Sequence, residues 1–383
     1  MTAGTVLIAA YSGRALAASA RRAGYAPLVV DACGDSDTRA IATDVRCLPD
    51  ALHHGFRIAP LLDACAELAT RSATAPIGIV LGAGFEDQPH CIEKLAETYP
   101  VLGCPAPVVR HCSTPKDLFG LLSHLGIPHP ETSLTPPAQG QGWLSKLEGG
   151  SGGTHIVRCK PHPTAMPHRY FQRAAPGDAI SALAITSPKG VAFAFTRQWV
   201  NAAPRRPYRY GGAVGNIEID AELEARLVDT MLALCEALKL VGLVSFDFLV
   251  DPGGEPLLVD VNPRPGASLD VLDDAQGTLF KAHMAAVQGD DPVEVLQSGW
   301  APSTLAAAYL YADRGTLTVP DIAWPEWSSD RPAPGTVIAE HDPLATAFAE
   351  GATPEIAAAL CQERLAALEQ MLYQSPKIGG HPS

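Results

Sequence analysis

The stretch Gly242–Ser268, GLVSFDFLVDPGGEPLLVDVNPRPGAS, carries the most information in the chain. From Val244 to Val250 the side chains alternate, with Phe246, Phe248 and Val250 on one face and Ser245, Asp247 and Leu249 on the other. Asp251-Pro-Gly-Gly254 is a strong turn signal, and Leu257–Asn262 returns, which predicts an antiparallel hairpin. Asp260 and Asn262 are two apart and share a face. With the turn centred near Pro252–Gly253, Asp247 falls opposite Leu258 and diagonal to Asp260, so three oxygen-bearing side chains gather on one face. Two carboxylates and an amide are hard ligands of the kind Mg²⁺ takes, with water and phosphates completing its shell. Without a cation, Asp247 beside Asp260 is repulsive. The spacing also fits an exposed polar face on which Asp260 and Asn262 shape the turn into Pro263. A one-residue slip in register would part the two aspartates.

Upstream, Trp143-Leu-Ser-Lys146 has strand character and runs into Leu147-Glu-Gly-Gly-Ser-Gly-Gly-Thr154. Glycines let backbone amides turn inward and approach phosphate oxygens without a side-chain clash. Ser151 and Thr154 add hydroxyl donors, and Lys146 puts a cation at the start of the loop. No GK[ST] closes the loop, so it is not a Walker A motif, and a plain hairpin loop is the other reading. Lys116 begins a helix after Pro115 and by itself reads as a solvated charge. Arg205, Arg206 and Arg209 sit in the Pro/Tyr/Gly-rich segment Pro204–Asn216. They form either a clamp for an anionic substrate or a solvated turn.

The first hundred residues alternate between strand and helix patterns. Strands are expected at Val6–Ala10, Ala26–Asp31 and Ile77–Leu81, and helices at Gly13–Ala23, Pro60–Thr70 and His90–Thr98. That order implies a Rossmann-like parallel sheet. No GxGxxG follows the first strand, so Asp31 lacks the context of a ribose ligand and a dinucleotide oxidoreductase is disfavoured. Pro105 and Pro107 mark a boundary. A helix from about Thr114 to His124 stops at Gly126. Strands are expected near His155–Lys160, at Arg169–Arg173, and as a pair at Ala179–Ile185 and Val191–Gln198. Helices are expected at Ala221–Leu240, Leu279–Gly289 and Glu355–Leu372, the last announced by Thr353-Pro354. From about Pro302 the chain reads as a last small unit.

A length of 383 residues suggests two or three domains, and 47% hydrophobic residues are enough for a sizeable core. The formal net charge of −13 disfavours a nucleic-acid partner. The N-terminus lacks the basic start of a secretory signal, and no apolar run approaches the roughly 18 residues of a membrane span. The nine cysteines are scattered with no CxxC pair, which reads as reduced thiols in a cytoplasmic protein.

These pieces, in this order, resemble the ATP-grasp superfamily, closest to stand-alone carboxylate–amine (amino acid) ligases. Biotin carboxylase, carbamoyl-phosphate synthase and D-alanine–D-alanine ligase are wider relatives. The strongest match is DFLVDPGGEPLLVDVNPRPGAS, which looks like the family's metal-binding hairpin. WLSKLEGGSGG resembles its lysine-plus-glycine-loop element. The resemblance implies an α/β and α+β protein: a Rossmann-like pre-ATP-grasp domain at 1–107, a two-part ATP-grasp domain at 108–295 and a small C-terminal subdomain at 296–383. It implies that Lys116 and Lys146 reach the phosphates of ATP and that Ser151, Gly152 and Gly153 cover them. Tyr170–Gly177 resembles the adenine hinge, with Gln172 and Ala175 on the base. Asp247, Asp260 and Asn262 resemble the ligands of one or two Mg²⁺ ions, with Mn²⁺ as a substitute. Arg264 resembles the arginine that steadies the transferring phosphoryl group, and Arg205, Arg209 and Tyr210 are candidates for the substrate side.

Three positions depart from the pattern. The hinge usually carries an acid where Gln172 stands. Ala179 occupies the place of the ribose-binding acid, leaving Asp178 as its substitute. Asp260 replaces the usual glutamate with a shorter arm. The implied reaction joins a carboxylate to an amine through an acyl phosphate, in a homodimer with small-molecule substrates. Overall likeness to small ligases extends the expectation to building a one-carbon carrier cofactor. The neutral hinge keeps a second expectation open, a non-catalytic nucleotide-binding regulator or scaffold.

Overall fold

The computed structural model describes residues 3–374. Its N-terminal part is a four-stranded parallel sheet in the order Asp44–Cys47, Tyr25–Asp31, Gly4–Ala10, Pro76–Leu81. Val6, Leu7 and Ile8 of the central strand are fully buried, as expected of a parallel strand with both faces covered. Helices Arg14–Arg22 and Ile58–Arg71 pack on it. The helices Ser36–Ile41, Ala51–His54 and Ala106–Ser113, and the edge strand Asp44–Cys47, were not foreseen, because each is too short to build a periodic pattern.

Helix Pro115–Leu125 ends at Gly126, whose left-handed backbone (φ +69°) closes the last turn. A small antiparallel sheet follows, in the order Thr132–Ser133, Arg169–Arg173, Trp143–Leu147, Val157–Arg158. The strand expected near His155–Lys160 shrinks to Val157–Arg158. Pro161 and Pro163 just beyond it remove the donors a longer ladder needs.

The largest sheet has eight antiparallel strands and begins with the hairpin. Its order is Pro256–Asn262, Gly242–Val250, Asp178–Ser187, Gly190–Val200, Tyr210–Val214, Leu305–Tyr311, Pro343–Glu350, Ser328–Ser329. Helix Ala221–Leu238 is capped by Asp220, whose carboxylate accepts from the Glu222 and Leu223 amides, and it buries Leu227, Met231 and Leu234 in the main core. It stops two residues short of Leu240 because Lys239 takes φ +53°. The last strands extend this sheet: Leu305–Tyr311 pairs with Tyr210–Val214 on one side and Pro343–Glu350 on the other. Their inward alanines, Ala306, Ala308, Ala347 and Ala349, let helix Pro354–Gln374 settle close, with Cys361 beneath them. Among the described residues all nine cysteines are free, and no helix is long and apolar enough to cross a membrane.

His283 fastens the parallel sheet to the hairpin sheet. From helix Thr278–Val287, its Nδ1 accepts the Leu243 amide at 2.9 Å and its Nε2 donates to the Leu102 carbonyl at 3.0 Å. Both bonds together require the neutral ring, and burial pushes its pKa down to about 4 from 6.5. The unfolded chain takes up that proton at higher pH than the folded one. Its contribution to stability is therefore complete above about pH 6.5 and lost as pH falls toward 4. Urea midpoints across this window are expected to fall less steeply in His283→Gln than in the wild type.

Candidate active site

The hairpin brings the acids closer than sequence spacing implied. Asp247 pairs directly with Asp260, not with Leu258, and Asn262 pairs with Ser245. A bulge between Asp247 and Phe248 accounts for the correction: Phe248 pairs with Leu258, so Val259 is the extra residue on the returning strand. The shift puts two half-buried carboxylates side by side. Withdrawal from water and then the Asp247 charge raise the Asp260 pKa to about 6, against the opposing pull of Lys146. Asp247 is also raised by burial, although Ser181 and Asn262 bond to it. The Asn262 amide donates to Asp247 Oδ2 at 3.0 Å, while its own oxygen accepts from Arg264 Nη2 at 3.0 Å.

Lys146 meets this face from the small sheet. It is buried, its Nζ donates to Gln172 Oε1 at 3.2 Å, and it sits 5.6 Å from the centre of the Tyr170 ring. Burial alone would lower its pKa, but Tyr170 and Asp260 outweigh that and hold it charged. Lys146 is held by pairing across the small sheet, Lys146 with Tyr170 and Leu144 with Gln172. Arg264 lies on the far side, its Nε 2.6 Å from the buried Glu86 Oε1.

The glycine loop roofs the cleft. A side chain at Gly149 would put its Cβ 2.6 Å from the Asp87 nitrogen and the Glu86 carbonyl, and one at Gly153 would fall 1.9 Å from the Tyr208 carbonyl oxygen. Both positions also have positive φ, so glycine is required twice over. The Gly152 carbonyl accepts from the Tyr210 amide at 2.9 Å, and His155 Nδ1 accepts from the Leu147 amide at 3.1 Å. Beneath the loop is a cavity of about 30 Å³ whose lining includes Glu86, Lys146, Gly149, Tyr170, Asp260 and Asn262. That is room for only about two or three waters.

Not every expected site residue joins this cluster. Lys116 is exposed, one position off the helix face (Pro115, Leu118, Phe119) that lines the cleft. Ser151 is half-buried in the roof. Ala175 is half-buried and Asp178 exposed in the turn entering the Asp178–Ser187 strand, with Asp178 opposite Val250 at the hairpin's far end. Arg205 is exposed at φ +64°. Arg209 departs most from the expected anion clamp. It is fully buried, bonds Asp313 through Nη1 at 2.9 Å and Nη2 at 2.6 Å, bonds Asn201 through Nε and Nη2, and stacks on Tyr311. Its donors brace the loop from inside. Tyr210 packs edge-on against Tyr309. Sequence reasoning missed Glu86, Ser181 and His155. The Gly82–Gln88 loop that carries Glu86 has no motif; only contact across the fold reveals it.

A parallel α/β sheet, a small lysine-bearing sheet and a large sheet ending in an acidic hairpin, with a glycine loop folded between them, define the ATP-grasp class. Residues 117–268 match the family model described as ATP-grasp domain, and the chain has an ATP-grasp fold. Its fold resembles N5-carboxyaminoimidazole ribonucleotide synthetase in its ADP complex, at TM-score 0.64 and 14% identity, covering 96% of this chain and 97% of that one. It also resembles the L-amino acid ligase from Bacillus licheniformis, at TM-score 0.67 and 12% identity, covering 97% and 98%. A third is the biotin carboxylase domain of the Hydrogenobacter thermophilus 2-oxoglutarate carboxylase, crystallised with MgADP and bicarbonate, at TM-score 0.68 and 10% identity, covering 98% and 90%. At these identities the likeness establishes the fold. No curated protein matches the sequence.

Proposed function

We propose that this chain is an ATP-dependent carboxylate–amine ligase that forms an amide through an acyl phosphate, releasing ADP and phosphate. The observation that carries this reading is the Asp247–Asp260 pair, two neighbouring carboxylates with raised pKa facing a charged lysine. Such a pair is repulsive alone and is relieved by a divalent cation. The donor set therefore fits Mg²⁺, with Mn²⁺ as a substitute. Asp247, Asp260 and Asn262 would hold one or two ions once the Asn262 amide turns its oxygen inward. Bound there, a divalent ion would offset the negative charge of a nucleotide's phosphates.

The chain's own residues do the rest. Lys146 and Arg264 offset the repulsion between an anionic carboxylate and the γ-phosphate, and Lys116 adds a third cation if its helix turns it inward. Gln172 and Ala175 cradle the base, with Asp178 on the ribose side. The roof at Ser151, Gly152 and Gly153 must lift to admit a nucleotide into so small a cavity. When it closes again it keeps water from the acyl phosphate. The attacking amine then displaces phosphate. Arg205 and Tyr210 remain candidates for the substrate side. In this reading residues 1–107, 108–295 and 296–383 act as the pre-domain, the grasp and a C-terminal unit of a cytoplasmic homodimer. An amino acid added to a one-carbon carrier cofactor is the substrate pair we would try first.

The test is phosphate release with MgATP across a panel of carboxylates paired with amines. Phosphate and ADP should appear together, and only with a matched pair. ATP binding with no ADP formed from any pair would favour the rival regulator or scaffold, which the neutral Gln172 in the hinge motivates.

A further inference from the structure

We propose that Glu86 is a positioning residue that makes closure of the glycine loop and alignment of Arg264 a single event. The inference rests on the nucleotide-site reading for its catalytic consequence, but its structural part stands on contacts alone. Glu86 lies on the loop that follows strand Pro76–Leu81 of the parallel sheet, outside the residues matched to the ATP-grasp family model. One carboxylate oxygen accepts the amides of Gly84 at 2.9 Å and Phe85 at 3.0 Å, which fixes the side chain to its own loop. The other accepts Arg264 Nε at 2.6 Å. Burial alone would push this carboxyl up, but the Arg264 guanidinium and the Gly84 amide outweigh it and hold the group ionised.

Arg264 passes the constraint on. Its Nη2 donates to Asn262 Oδ1, and the Asn262 amide donates to Asp247 Oδ2, each at 3.0 Å. The same short loop is also the seat of the roof, since Gly149 rests against the backbone of Glu86 and Asp87 with no room for a methyl group. A single rigid turn thus touches the roof on one side and grips the arginine on the other. Freed from Glu86, the guanidinium would turn to Asp247 and Asp260, both of whose charges it already feels, and crowd the cation's place. Such a support, one step removed from the reacting groups, is worth about 10- to 100-fold in activity when removed.

The experiment compares wild type, Glu86→Gln, Gly149→Ala and the double variant, keeping the full chain. Amide exchange of Gly149–Thr154 is measured without nucleotide. Both single variants should speed it, Glu86→Gln by roughly tenfold, the scale of a lost charge-assisted hydrogen bond. In turnover with a matched substrate pair, each should lower kcat by about 10- to 100-fold with little change in KM for ATP. The double variant should be little worse than either single. Unchanged loop exchange in Glu86→Gln, or kcat losses that multiply in the double variant, overturns the proposal. A wild type that does not bind MgADP removes the nucleotide reading instead, while the exchange result still decides the coupling. If Glu86→Gln does not fold, Gly149→Ala alone decides: it must slow kcat, and a pure rise in KM contradicts a link from roof to Arg264.

Discussion

Asp260→Asn is expected to lose about 1000-fold in turnover while making the metal-free protein harder to unfold. The two effects have one cause. In the folded chain the Asp260 carboxyl is drawn out of water beside Asp247, which raises its pKa from 3.8 to about 6. A carboxyl raised on folding binds its proton more tightly when folded. It therefore destabilises the folded state above about pH 6, and that destabilisation vanishes as pH falls toward 3.8. The amide of asparagine carries no charge to desolvate. In EDTA, Asp260→Asn should melt above the wild type at pH 7.5, and the gap should close as the pH is lowered through that window. Adding Mg²⁺ and ADP should narrow or reverse the gap, because ligand that binds only the folded wild type stabilises it by mass action. A carboxylate retained at a stability cost is what a functional charge looks like, whereas a decorative surface acid would show neither effect.

Arg209→Ala is expected to cost about 3 kcal/mol of stability, read from urea midpoints. Arg209 is completely enclosed, and its guanidinium holds both oxygens of Asp313, two oxygens of Asn201 and the face of Tyr311. Truncation strands these partners and leaves a cavity in a loop that joins Gly190–Val200 to Tyr210–Val214. Arg205→Ala, four residues away and exposed, should stay within about 0.5 kcal/mol of the wild type. If instead Arg209→Ala kept its stability and only weakened an anionic substrate, the clamp read from the sequence would be the better account.

The hairpin shows how far sequence reaches. Alternation and the Asp251–Gly254 turn located the strands to within two residues, and the shared face of Asp247, Asp260 and Asn262 followed from period two together with the position of the turn. The exact pairing was not legible, because a bulge depends on which residue the partner strand can leave out, and Val259 carries no mark of it. Lys146 was legible as the cation before a glycine run, but its bond to Gln172 needed the pairing of two strands 26 residues apart. Glu86 was invisible for the same reason at longer range: 178 residues separate it from Arg264. The C-terminal strands escaped notice because Leu305–Tyr311 and Pro343–Glu350 are alanine-rich, a poor strand signal whose purpose is close packing under helix Pro354–Gln374.

The claim on which all of this depends is that the paired acids, with Lys146 opposite, make a magnesium-dependent nucleotide site. Calorimetric titration of ADP tests it most directly, using wild type with Mg²⁺, wild type with EDTA, and Asp260→Asn with Mg²⁺. The account predicts binding in the first and a loss of about 100-fold in affinity in the other two. Equal affinity in all three would contradict it.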